Sequence, residues 1–170
     1  MAYKFTIKGI RRFNEEKVVE RTLALYRGVE GDPEVKIRYH QETGEEKESY
    51  TIMTEKVSTQ GVNVKHMIGG NIIVELPWLA SKMDVLLCYA FLKAIKKVHR
   101  AVHVIDEEDK SVKLTEDEAK EQWHLRRSNM DEIINRGEKT VIAGVMRDFH
   151  LNPALYIGRD EIANRIEDAF

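Results

Sequence analysis

GGNIIVELPWLASKMDVLLCYAFLKAIKKVHRAVHVI, residues 69–105, carries the strongest indication of the fold class. An apolar run at residues 71–76 is followed by a turn and then by a long segment whose apolar side chains recur every three or four positions. A second short apolar run follows at residues 101–105. This order indicates a β-α-β unit, in which the second strand is expected to pair parallel to the first through a right-handed crossover.

The turn between strand and helix is where such a unit would carry a phosphate-binding glycine loop. Here the turn reads LPWLAS at residues 76–81 and contains no glycine. The chain also lacks the dinucleotide and P-loop glycine patterns, and it lacks the G-x-S-x-G and S-x-x-K patterns of serine nucleophiles. We therefore expect no cofactor, and no enzyme class is indicated by a motif.

Further strands are predicted on both sides of this unit. Alternating runs at residues 35–40 and 50–54, joined by turn-forming residues, predict an antiparallel hairpin in the N-terminal part. Alternation also predicts strands at residues 3–8 and 62–66, and an apolar run predicts a central strand at residues 140–146. Together these runs predict a mixed β-sheet of about seven strands.

Helix start signals complete the expected fold. Asn14 is a plausible N-cap, and both Ser81 with Asp84 and Thr115 with Glu118 fit the capping box. A short helix is expected at residues 162–170. The fold class is therefore α+β, with an N-terminal hairpin, one β-α-β unit and helices packed mainly on one face of the sheet.

The composition fits one domain over residues 1–170, with a subdivision into 1–60 and 61–170 as the alternative. A net charge of −2 gives no general attraction to nucleic acid or to an anionic membrane. No apolar run approaches the roughly 20 residues that span a bilayer, and the N-terminus has no signal-peptide pattern. The single cysteine, Cys88, excludes an internal disulfide. These features favour a cytoplasmic protein that binds neither nucleic acid nor membrane.

Polar residues near strand ends are the candidates for catalysis. Asp148 and His150 are two positions apart on a predicted strand and so share a face, while Arg147 and His103 lie close to strand ends. The six histidines show neither H-E-x-x-H nor H-x-H spacing, so no metal site is predicted. The other interpretation is that these are ordinary surface residues.

An acidic strip at residues 106–121, with eight acidic residues against three lysines, is the main charge feature. Trp78 lies in the turn before the long helix, and exposed aromatic side chains beside asymmetric charge are typical of protein interfaces. Trp78, Glu107, Glu108 and Asp109 are thus candidate partner-binding residues. The alternatives are that Trp78 covers the core and that the charges form a solvated face. A third hypothesis is a structural homodimer, which would bury the edge strand at residues 35–40 or the turn around Trp78 against its copy.

The runs ELPWLASKMDVLLCYAFLKAI and NPALYIGRDEI resemble an uncharacterised bacterial family of cytosolic proteins. The shared pattern is a strand that ends in Leu-Pro, an acidic residue near the start of the next helix and a late Pro…Ile-Gly ending with an acidic residue. In this chain the pattern falls on Leu76, Pro77, Asp84, Pro153, Ile157, Gly158 and Glu161. The resemblance implies a bacterial source, and the family has no established activity. It does not extend to the first 70 residues.

The function hypothesis from sequence is a non-enzymatic cytoplasmic module that binds or regulates another protein. The alternative is a small hydrolase or ligand-binding domain that uses Asp148, His150, His103 and Arg147. The two differ in which substitutions should abolish function: those of the acidic strip or those of the Asp and His candidates.

Overall fold

The structure is a computed structural model that describes residues 2–26, 34–41, 44, 46–54, 58–137, 140–144 and 149–151. Within these residues the fold is α+β, as predicted. The strands are β1 (Tyr3–Lys8), β2 (Val35–Tyr39), β3 (Glu46–Thr54), β4 (Val62–Met67), β5 (Ile72–Leu76), β6 (His103–Ile105), β7 (Thr140–Ile142) and β8 (Phe149–Leu151). The helices are α1 (Glu15–Tyr26), α2 (Lys82–Val98) and α3 (Glu116–Asn135). The helix predicted at residues 162–170 lies outside the described residues.

The main sheet has six strands in the order β2-β3-β4-β5-β1-β6, and every neighbouring pair is antiparallel. The expectations of a mixed sheet and of direct parallel pairing between β5 and β6 are therefore wrong. β1 lies between these two strands, with Phe5 opposite Val74 and Ile7 opposite Val104. The β5-α2-β6 unit is present, but its crossover spans the inserted β1. Insertion satisfies the backbone groups on both edges of β1 while its apolar face enters the core.

The C-terminal strand prediction also needs correction. Residues 140–146 were expected to form a central strand, but β7 pairs only with β8, in a separate two-stranded sheet within the described residues. Val141 is 58 % exposed. A short apolar run does not by itself distinguish a central strand from a surface hairpin. The predicted N-terminal hairpin is confirmed, with Ile37 of β2 opposite Ile52 of β3.

One face of the main sheet builds the core with the helices. Alternate side chains of β1, β4 and β5 point into this core, in keeping with the two-residue period of a strand. α2 packs over β3, β4 and β5, while α1 and α3 both contact α2 and share this core. The helices therefore pack mainly on one face, as predicted. Buried side chains at its centre are Phe5, Ile7, Val62, Val64, Ile72, Val74, Leu87, Phe91, Leu92 and Ile95.

The predicted helix caps are present. Asn14 Oδ1 accepts a hydrogen bond from the backbone nitrogen of Lys17 at the start of α1. Reciprocal capping boxes join Ser81 to Asp84 in α2 and Thr115 to Glu118 in α3. These interactions satisfy backbone N–H groups that have no partner within the helix.

Candidate functional site

The structure does not gather the predicted catalytic residues into one described cluster. Arg147 and Asp148 lie outside the described residues. His150 belongs to β8, where its backbone pairs with Val141, and His103 is an exposed residue at the start of β6. In the part of the chain that the structure describes, no three His, Cys, Asp or Glu side chains come together as metal ligands.

Trp78 is half-buried and covers a small second cluster of apolar residues. Its side chain packs with Leu79, Met130 and Ile133, which joins the turn after β5 to the second half of α3. The Asn129 side chain donates a hydrogen bond to the backbone oxygen of Trp78 at 3.2 Å. These contacts match the interpretation of Trp78 as a lid on the core.

We call residues 106–110 the acidic turn. Its side chains Glu107, Glu108 and Asp109 are exposed. The backbone nitrogen of Lys4 donates a hydrogen bond to Glu107 Oε1 at 3.2 Å, and Asp109 lies 3.4 Å from the Lys8 ammonium group. Glu108 pairs with a neighbouring lysine within the turn. The acidic turn therefore has a structural task, because it fastens the end of β6 to β1.

A groove between α1 and β2 combines features that the acidic turn lacks. We call it the acidic groove; its volume is about 540 Å³. Its apolar floor consists of half-buried side chains from both elements, and three carboxylates stand around this floor. The residues that line it are Glu15, Glu16, Val19, Glu20, Leu23 and Ile37.

The sequence of α1 explains why acidic and apolar side chains share the groove. Residues 15, 19 and 23 follow each other at four-residue spacing, and residues 16 and 20 stand beside them. The same spacing places the exposed cations Lys17 and Arg21 on the other side of α1. On β2, alternation directs Lys36 and Arg38 to the opposite face of the sheet from Ile37. The described lining of the groove is thus acidic and apolar.

The hydroxyl of Tyr39 fixes one carboxylate of the acidic groove. It donates a hydrogen bond to Glu15 Oε1 at 2.5 Å, and this bond is the main reason that the pKa of Tyr39 rises to about 12. Tyr39 is nevertheless 56 % exposed, and its ring packs edge-on against Tyr50 at 5.6 Å. An exposed aromatic side chain therefore stands beside the groove with its orientation already fixed.

The acidic groove lies beside an open edge of the sheet. β2 is the end strand, and β3 is its only strand partner in the described part of the chain. An end strand presents unpaired backbone N–H and C=O groups, which can pair with an added strand. The sequence pattern indicated this edge but not the groove, because Glu15 and Glu16 taken by themselves are ordinary residues for the start of a helix. The overlooked signal was that Glu15, Val19 and Leu23 follow each other at helical spacing.

No helix in the described ranges is long and apolar enough to cross a membrane. Comparison of the chain with known protein families, with characterised proteins and with solved structures finds no match.

Proposed function

We propose that the protein is a non-enzymatic protein-binding module that holds a basic, extended segment of another protein in the acidic groove. The observation that carries the proposal is the apolar floor with its three glutamates, placed beside the open edge of β2. The bacterial, cytoplasmic setting expected from the sequence is part of the proposal.

Strand addition is the binding mode that fits this geometry. A segment paired with β2 would place every second side chain on the same face as Ile37, towards α1. Apolar side chains at these positions would cover Val19 and Leu23, and lysine or arginine side chains would reach Glu16 and Glu20. Main-chain hydrogen bonds supply affinity in this mode, and the groove supplies the preference for a basic, apolar segment.

The expected affinity is modest. Glu16 and Glu20 are exposed, so salt screens their attraction to a cationic partner. Ordering an extended segment also costs conformational entropy. We therefore expect dissociation constants of about 1–100 μM that increase with ionic strength.

Self-association through the same edge is disfavoured by charge. In a two-fold symmetric contact each copy presents the same surface to the other. Pairing of two β2 strands would bring the glutamates of both grooves close together, and like charges across an interface oppose binding. A basic segment of a different protein removes this repulsion. No observation on the described residues favours the hydrolase alternative over this proposal.

The test uses a fluorescent peptide of alternating lysine and valine, followed by fluorescence anisotropy. We expect it to bind, and we expect a glutamate–valine peptide of the same length not to bind. Glu16→Lys/Glu20→Lys should weaken binding by about tenfold or more. The control Glu107→Lys/Glu108→Lys makes the same change in net charge at the acidic turn and should change affinity by less than about twofold.

Equal losses in the two double variants would show that net charge alone attracts the peptide, and would contradict a role for the groove. Loss of peptide binding only in the Glu107→Lys/Glu108→Lys variant would show that the peptide binds at the acidic turn and not in the groove. The other molecule that could occupy the β2 edge is a second copy of this chain. Light scattering of the free protein tests this, because a mass that doubles as concentration rises would indicate a homodimer instead of a complex with another protein.

A further inference from the structure

The three described helices differ in what accepts the backbone N–H of their N-cap residue. In α2 the Asp84 carboxylate accepts from the backbone nitrogen of Ser81 at 2.9 Å. In α3 the Glu118 carboxylate accepts from the backbone nitrogen of Thr115 at 3.4 Å. Both carboxylates stand at the third helical position, as a capping box requires. In α1 this position holds Lys17, whose ammonium group cannot accept a hydrogen bond.

An imidazole takes the role of acceptor at the start of α1. The backbone nitrogen of Asn14 donates a hydrogen bond at 3.3 Å to Nε2 of His99, the residue that follows α2. Since a backbone N–H can only donate, Nε2 must be the unprotonated ring nitrogen, and the proton of the neutral imidazole is on Nδ1. We call this bond the α1 anchor. Its acceptor is of the kind that titrates near neutral pH.

Further contacts hold the segment before α1 against the end of α2. The ring of Phe13 stacks on His99 with centroids 5.7 Å apart and meets His66 of β4 edge-on at 4.8 Å. Gly9 has a φ of +92°, and a Cβ atom there would stand 3.2 Å from the backbone oxygen of Ala101. Residues 9–14 thus fit closely against residues 99–101, and two imidazoles contact the same aromatic ring.

The anchored residue directly precedes two glutamates of the acidic groove. Glu15 and Glu16 are the first two residues of α1, and both line the groove. The Asn14 side chain accepts a hydrogen bond from the backbone nitrogen of Lys17 at 3.1 Å, and its backbone oxygen accepts from that of Val18 at 3.0 Å. Loss of the α1 anchor would leave the N-cap N–H without its acceptor and loosen the turn that positions both carboxylates.

We propose that His99 is a pH-sensitive positioning residue for the acidic groove: protonation of its Nε2 atom breaks the α1 anchor and lowers the affinity of the groove for a basic segment. The inference rests on the proposed function of the groove. Protonation directs an N–H group at the N–H of Asn14, and two donors cannot bond each other. An imidazolium stacked on Phe13 gains cation–π attraction, but this does not give the Asn14 N–H an acceptor.

The direction of the pH dependence follows from burial. Burial lowers the pKa of His99 in the folded protein below its ordinary value of 6.5. The α1 anchor is therefore complete above about pH 6.5 and is lost as pH falls below that value. Burial is also the main cause of the lowered pKa of His66, which Glu15 opposes and Lys47 reinforces. The charged residues next to the stacked rings in the chain are exposed cations, which do not stabilise a charged imidazole: Arg12 and Arg100.

Nuclear magnetic resonance of the free, intact protein tests the α1 anchor itself. We expect the ring nitrogen shifts at about pH 7.5 to show His99 with its proton on Nδ1. We also expect the amide resonance of Asn14 to move with the same midpoint as His99 between about pH 8 and pH 5. A proton on Nε2 at pH 7.5, or an Asn14 amide that does not follow the titration of His99, would overturn the proposal. These readouts need no peptide, so they separate a failure of the α1 anchor from a failure of the proposed function, which would appear as no peptide binding at any pH.

Anisotropy with the lysine–valine peptide tests the effect on the acidic groove. The wild type should bind about three- to tenfold more weakly at pH 5.5 than at pH 7.5. Lys17→Gln supplies a side-chain acceptor at the capping-box position, so its affinity should stay within about twofold over this range. Arg21→Gln is the matched control, because it makes the same change in charge one turn later on an exposed part of α1; it should behave like the wild type.

His99→Phe keeps an aromatic ring against Phe13 but removes the acceptor. It should therefore bind the peptide at pH 7.5 as weakly as the wild type does at pH 5.5, with no further loss on acidification. No loss of affinity in the wild type, or the same pH dependence in Lys17→Gln as in Arg21→Gln, would overturn the proposal. The groove glutamates are present in both of these variants, so their own titration cannot produce a difference between them.

Discussion

Asp84 Oδ2 lies 3.0 Å from both the backbone nitrogen and the hydroxyl oxygen of Thr59. The same oxygen accepts hydrogen bonds from the backbone nitrogens of Ser81 and Gln60. One carboxylate, 0 % exposed, thus caps α2 and holds the loop before β4. Three backbone N–H groups, those of Thr59, Gln60 and Ser81, converge on Oδ2 and stabilise the buried carboxylate, whereas Oδ1 has no hydrogen-bond partner among the described residues.

Replacement of this carboxylate should be costly. We expect Asp84→Ala to lower the free energy of unfolding by about 2–4 kcal/mol, since several partly buried donors lose their acceptor together. Glu118→Ala is the control, because Glu118 has the same capping-box position in α3 but is half-buried; it should cost about 1 kcal/mol. Urea unfolding measures both, and equal costs would contradict the role given to Asp84.

His66 should make stability depend on pH. Its ring packs against Phe13 at 4.8 Å and its Nε2 atom lies 3.2 Å from the Tyr50 hydroxyl. Burial lowers the pKa of His66 in the folded state below its unfolded value of about 6.5. The unfolded chain therefore binds more protons in this range, so stability is complete above about pH 6.5 and falls as pH decreases through and below that value.

The measurement is urea unfolding at several values between pH 5 and pH 8. His66→Gln should flatten the decline of stability on the acid side, whereas the exposed control His103→Gln should leave it unchanged. An identical acid-side decline in the wild type and His66→Gln would show that another group causes it. His99 is the first such group to examine, because burial lowers its pKa as well.

The Arg126 side chain should lower the free energy of unfolding of the native protein. It is only 3 % exposed, and its Nε and one terminal nitrogen have no hydrogen-bond partner among the residues that the structure describes. Burial is the main cause of the lowered pKa of this guanidinium. Since a buried charge without a partner is expensive, Arg126→Met should raise the free energy of unfolding by about 1–2 kcal/mol.

Arg136→Met provides the comparison for Arg126. It removes an exposed ion pair with Glu132 and should cost no more than about 0.5 kcal/mol. Thermal unfolding of both variants checks the pair of predictions. A destabilised Arg126→Met protein would indicate that Arg126 makes an interaction worth more than its desolvation cost.

Cys88 should be chemically inert in the folded protein. The thiol is fully buried in α2, and burial raises its pKa, so the reactive thiolate is scarce. We expect Ellman's reagent to label the native protein only at the rate at which it unfolds, and to label it at once in urea. Labelling of the native protein as fast as a free thiol would contradict the burial of this side chain.

Local signals in the sequence predicted the elements well. Ser81 with Asp84 and Thr115 with Glu118 marked two helix starts, because a capping box depends on residues only three positions apart. The insertion of β1 between β5 and β6 was not predictable in this way. Phe5 and Ile7 meet strands that are distant in the chain, and their periodicity shows which face is buried but not which strands lie beside them.

The candidate sites depend on contacts between distant segments, which is why the sequence did not show them. The acidic groove needs Leu23 of α1 to lie beside Ile37 of β2. The row of Arg38, Thr51 and Asn63 across the sheet needs the register of three strands. Each residue has an ordinary local explanation, and only the tertiary arrangement brings them together.

Strand addition in the acidic groove is tested most directly by an amide NMR titration of the protein with the lysine–valine peptide, followed by hydrogen exchange. We expect resonance shifts to concentrate in α1 and β2, and we expect the amides of Val35, Ile37 and Tyr39, which point away from β3, to become protected from exchange in the complex. Shifts centred on the acidic turn, or binding without protection of β2, would contradict strand addition in the acidic groove.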